Sequence, residues 1–208
     1  KHMATTTFNG PVRSENGFQM VSKNATTGTI TVTSGDKMAV EATASAGIEG
    51  TAAVYVTQVT RLKSDVTTNV NIVKTSIMID LTGLKDGGTA GDIIGKDGDG
   101  VAFIGQVTTA NQGTVFGVTM QCLETPAGGS TDIDLFSATE GTGVNDTAIG
   151  DLTETQIINA GAASAGSLVA GGDIAADQFL YLVSQGTGDA TYTAGRFLIE
   201  ILGFDAAS

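Results

Sequence analysis

Histidine, cysteine, tryptophan and proline are nearly missing from this 208-residue sequence: His and Cys occur once each, Trp not at all and Pro twice. The single cysteine, Cys122, excludes an intramolecular disulfide and any metal-binding Cys/His cluster. The single histidine is His2, and Lys1-His2-Met3 reads as a vector remnant ahead of the native chain. Without a histidine elsewhere, Ser/His and Cys/His nucleophilic catalysis cannot be assembled. Cys122 itself falls among apolar neighbours at strand spacing and reads as a small core residue. Positive charge is scarce as well, and unevenly placed. Nine of the ten Lys and Arg lie at or before Lys96 and the tenth is Arg196, whereas residues 97–195 carry twelve acidic side chains and no basic one. Such a half cannot release the counterions of a phosphate backbone, so no nucleic-acid partner is expected; an anionic membrane surface is disfavoured for the same reason. The sequence shows no charged-then-apolar leader and no apolar run of membrane-spanning length, so the expectation is synthesis in a cytoplasm and no membrane partner.

What the chain does have is glycine (29 residues), many threonines and 41% hydrophobic residues, too apolar for a disordered chain and too rich in Gly and Thr for helices. The C-terminal stretch is the most informative. Phe179, Tyr181 and Val183 alternate with Leu180, Leu182 and Ser184; after a Gly-rich turn, Phe197, Ile199 and Ile201 alternate with Arg196, Leu198, Glu200 and Leu202. A helix competes for so dense an apolar run, but Gly186, Gly188, Gly195 and Gly203 bracket it at strand lengths. Both faces being apolar suits strands covered on two sides, or on one side by core and on the other by a partner subunit. Further strands are expected at 51–60, 70–81, 101–107, 114–123, 132–137, 155–159 and 167–170. In 114–123, Phe116, Val118, Met120 and Cys122 are placed on one face.

Eight to ten strands spaced by Gly/Asp/Thr turns predict an all-β fold, a jelly-roll-like antiparallel β-sandwich with an N-terminal arm or small β annex. The division is 1–3 vector remnant, 4–50 arm or annex and 51–208 sandwich, with a soft boundary near Gly50. The alternative for the N-terminal part is a set of ordinary edge strands.

Acidic loops offer the only hints of chemistry. Residues 85–92 and Lys96-Asp97-Gly98-Asp99-Gly100 resemble calcium loops, in which carboxylate and carbonyl oxygens converge on a turning backbone. The twelfth position from Asp97 is Thr108, where an EF-hand needs a bidentate Glu, so no metal is assigned. Gly95, Gly98 and Gly100 lack the spacing of a dinucleotide fingerprint. Asp132 with Asp134, and Asp151 with Glu154, are carboxylate pairs of the kind glycosidases use, but no Trp and few Tyr are present to hold a sugar. They read as solvated turn acids. No catalytic residue, no cofactor-binding residue and no metal ligand is assigned, and the chain is read as not an enzyme.

The segment Phe8-Asn9-Gly10-Pro11-Val12-Arg13-Ser14-Glu15-Asn16-Gly17-Phe18, followed by Val21-Ser22-Lys23-Asn24-Ala25-Thr26-Thr27-Gly28, resembles the opening of small virion proteins of tailed bacteriophages, the capsid decoration (cement) or head-fibre proteins. The similarity covers about the first thirty residues and is compositional beyond them. The resemblance implies a jelly-roll or related β fold, a homotrimer, docking on the phage major capsid protein and a place on the capsid surface of the virion. It transfers no functional residue, because such a family is defined by a surface. Of the two halves, the more basic N-terminal one is expected to touch an acidic capsid lattice. A host-surface or carbohydrate-binding fibre module is the alternative, and an enzyme acting on polysaccharide a more distant one.

Overall fold

The computed structural model describes residues 20–23, 30–34, 45, 47–48, 53–62, 70–98 and 100–206, with side chains at 45, 47–48, 72–98 and 100–204. The chain divides into two compact units, Lys1–Met38 and Ala39–Ser208. The first contains an antiparallel pair, β1 (Met20–Lys23) and β2 (Ile30–Ser34). Ser45, Gly47 and Ile48, read from sequence as part of the arm, belong to the second unit. Ser45 and Gly47 donate backbone hydrogen bonds to Phe103 and Val101, and Ile48 is fully buried.

The second unit is an antiparallel β-sandwich. One sheet has the order β10-β7-β12-β4-β3, formed by Leu168–Gly171, Thr114–Ala127, Ala194–Ala206, Val70–Asp80 and Ala53–Leu62. The other has the order β5-β11-β8-β9, formed by Asp92–Ile93, Gln178–Ser184, Ile133–Ala138 and Glu154–Ile158, with β6 (Gly105–Val107) also paired to β11. The two-residue period does what it should in the first sheet. Ile77 and Ile79 of β4, Val118, Met120 and Cys122 of β7, and Phe197, Ile199 and Ile201 of β12 all point inward into one apolar core shared with Ile133, Leu135, Leu180 and Leu182 of the second sheet.

Two details depart from simple alternation. The first is at β7. Its register against β12 slips between Leu202, opposite Gly117, and Gly203, opposite Val115. The extra residue reverses the side-chain parity, so Val115 is buried and Phe116, expected on the face of Val118, Met120 and Cys122, points outward. A close approach accompanies the slip across the strand. Helix α1 (Thr109–Gln112), capped by the Thr108 hydroxyl, runs so close to β12 that a Cβ at Gly203 would lie 1.9 Å from the Gln112 carbonyl oxygen. Only glycine fits there.

The second detail is the second sheet. β8 is buried along its whole length and β11 from Leu180 to Ser184, so both parities are covered. The cover comes from the chain's own loops. Ile94, Ala102, Ile104 and Ile149 join the core; the Asn145 amide donates to the carbonyls of Lys85 (3.2 Å) and Ile93 (3.0 Å). The Tyr181 hydroxyl accepts from Gly143 N–H (3.2 Å) and donates to the Glu140 carbonyl (2.8 Å). Among the described residues no such layer covers the first sheet.

Candidate functional site

The acidic loops singled out by sequence are built into the framework. In the 85–92 loop the buried Asp86 carboxylate accepts hydrogen bonds from the backbone N–H groups of Ser130 (2.8 Å) and Ala190 (2.7 Å), tying together three loops far apart in the chain. Asp92, also buried, accepts from Thr89 N–H at 2.7 Å. Asp97 is exposed and pairs with Lys85 at 3.2 Å, and the same ammonium reaches Asp189 at 2.9 Å. Those two carboxylates hold the lysine above its usual range. Asp99 lies outside the described residues. Among the described residues no group of three or more His, Cys, Asp or Glu is placed to hold a metal ion.

Of the two carboxylate pairs read as solvated turn acids, Asp132 and Asp134 are instead partly and fully buried, whereas Asp151 and Glu154 are exposed. Asp134 is buried and its two oxygens accept from the Gln156 amide and the Ala160 N–H, each at 2.8 Å, which occupies it structurally. Asp132 has a buried oxygen, Oδ1, without a hydrogen-bond partner. Burial, and secondarily the charge of Asp134, raises its carboxyl above the ordinary carboxylate range. Asp151 lies in a short 3-10 turn and Glu154 opens β9, both exposed. Glu154 lines a shallow cleft of about 310 Å3 with Thr139, Thr153, Asp173 and Gln178, and no aromatic ring is among its lining residues. Cys122 is buried, its thiol pushed up by desolvation and donating to the Glu124 carbonyl at 3.2 Å; such a thiol is a poor nucleophile.

A different feature stands out. The exposed large hydrophobic side chains of the described residues are Met78, Phe116, Leu123, Leu168 and Phe204, and all five lie on the outer face of the first sheet. The register explains the grouping. Met78 of β4, Leu198 of β12, Gln121 of β7 and Leu168 of β10 are successive cross-strand partners and form one row. Toward the other end, Leu202 stands opposite Lys74 and Gly117, Phe204 opposite Ile72, and the ring centroids of Phe204 and Phe116 are 6.3 Å apart. Among the described residues, charges on this face are mutually paired: Lys74 with Glu200, and Arg196 with Asp80 (2.9 Å) and Glu124 (3.7 Å). At Asp80, partial burial acts to raise the carboxyl, but hydrogen bonds from Thr82 and Arg196 outweigh it and hold the group below its ordinary range.

No protein family, curated protein or solved structure matches the chain. The face is therefore described by its own chemistry, which is apolar with paired charges. Alternation in β12 signalled two apolar faces, but two facts were out of reach of sequence. One is that loops cover the second sheet; the other is that a bulge adds Phe116 to the open face of the first.

Proposed function

We propose that this chain is a virion structural protein that decorates and stabilises the outer surface of a phage capsid, acting as a homo-oligomer, most simply a trimer, on the major capsid protein. The observation that carries the oligomeric part of the proposal is the collection of every large exposed hydrophobic side chain of the described residues on one sheet face, while Asp86 and Asp134 are engaged in framework bonds. Patches of that kind mark interaction surfaces. The N-terminal resemblance at residues 8–28 supplies the class of partner. Strand succession supports the jelly-roll reading: counting β5 and β6 together, the chain from β4 onward visits the first and second sheets in the order one, two, one, two, two, one, two, one. Co-sedimentation with capsids lacking the decoration tests the proposal. Saturable pelleting at a fixed ratio to the capsid protein is expected; protein that stays in the supernatant at every concentration contradicts it.

A further inference from the structure

We infer that the open face of the first sheet is where copies of this chain meet each other, so that the capsid is contacted by a different surface; only the capsid half of that statement rests on the decoration reading. Size and position are the first argument. The row from Met78 to Leu168 crosses three strand spacings, about 14 Å, and the stretch from Leu198 to Phe204 adds about 20 Å along the strand. Within that span Met78, Leu198, Leu168, Leu202, Phe116 and Phe204 are interspersed with Gln121, Lys74 and Glu200, and such an apolar cluster suits the centre of a subunit interface, its most apolar part.

Charge then selects the occupant. The chain carries a formal charge of −12, and like-charged copies repel each other over most of their surface. Among the described residues of this face the two basic ones, Lys74 and Arg196, are matched against Glu200, Asp80 and Glu124, which leaves little net charge there. Arg196 is the only basic residue after Lys96, and its guanidinium is used here. A cationic partner would gain most from the acidic remainder of the molecule, whereas a second copy of this chain gains most from the one face that is both apolar and neutralised. The second sheet offers no rival plane, because loops already cover it.

The test uses the full chain and needs no capsid. Met78 and Leu168 are 43% and 58% exposed in the single chain, so Met78→Glu and Leu168→Glu add charge without entering the core. Light scattering at about 10 μM is expected to give an oligomer for the wild type and a single-chain mass for the double variant, with the β-type circular dichroism spectrum retained. A wild type that stays a single chain, or a folded double variant that keeps the wild-type mass, overturns the inference. Should the variant unfold, peroxide oxidation of the wild type decides: Met78 is expected to oxidise at least tenfold faster after dilution to the single chain than in the oligomer. Equal rates at both concentrations overturn the inference. Co-sedimentation of the wild type with undecorated capsids reports on decoration separately, so the two ideas can fail independently.

Discussion

Asp86 shows how single residues hold the loops over the second sheet. Its carboxylate satisfies two backbone N–H groups whose partners lie 44 and 104 residues away, so Asp86→Ala strands both donors. A loss of about 2 kcal/mol is expected, or about 4–8 °C in Tm for a chain of this size, with Asp86→Asn less damaging because one acceptor oxygen remains. Thermal melts of the two variants check the order, and an Asp86→Ala protein as stable as the wild type refutes it. Asp132 behaves in the opposite sense. Its folded-state carboxyl is raised by burial and by Asp134, so its ionised form costs stability above the raised value; the cost disappears once pH falls below the ordinary carboxylate range. Asp132→Asn is therefore expected to raise Tm at pH 7–8, with the advantage shrinking as the pH approaches 4. A variant less stable than the wild type at neutral pH contradicts this sign.

At the scale of elements, the longer strands were legible because their period is legible, whereas the strand expected at 101–107 shrinks to Gly105–Val107 and the two-residue β5 was not expected. The inward sets in β12 and β4 follow from alternation alone, and the runs at 132–137, 155–159 and 167–170 correspond to β8, β9 and β10 within one residue. Phe116 was not legible, since its direction is fixed by a bulge against β12, a strand about ninety residues further along the chain. Asp86 and Asp134 were not legible as framework acids either, because their donors come from distant loops. The end of the arm is another case: an Ala/Gly-rich stretch gives no period, yet Ser45 and Ile48 are anchored to the sandwich. This yields a paired prediction. Deleting residues 3–38 leaves a domain that melts within a few degrees of the full chain and binds capsids more weakly. Deleting 3–50 also removes the fully buried Ile48 and lowers stability by about 2–5 kcal/mol more, the usual cost of emptying such a core position. Equal Tm for the two truncations would place the boundary elsewhere.

For the whole molecule, the two sheets differ in what covers them. One is sealed by its own loops; on the other, the described residues present exposed apolar side chains among paired charges, in a chain of formal charge −12. A chain so arranged is suited to closing on copies of itself by symmetry, which hides the plane and leaves the acidic surface facing water. Electron cryomicroscopy of undecorated capsids incubated with the full chain tests this account most directly. The predicted result is added density at symmetry-related positions on the shell, into which three sandwiches fit with their β10-β7-β12-β4 faces buried between copies. Capsids without added density, or single sandwiches standing apart with that face open to solvent, would contradict it.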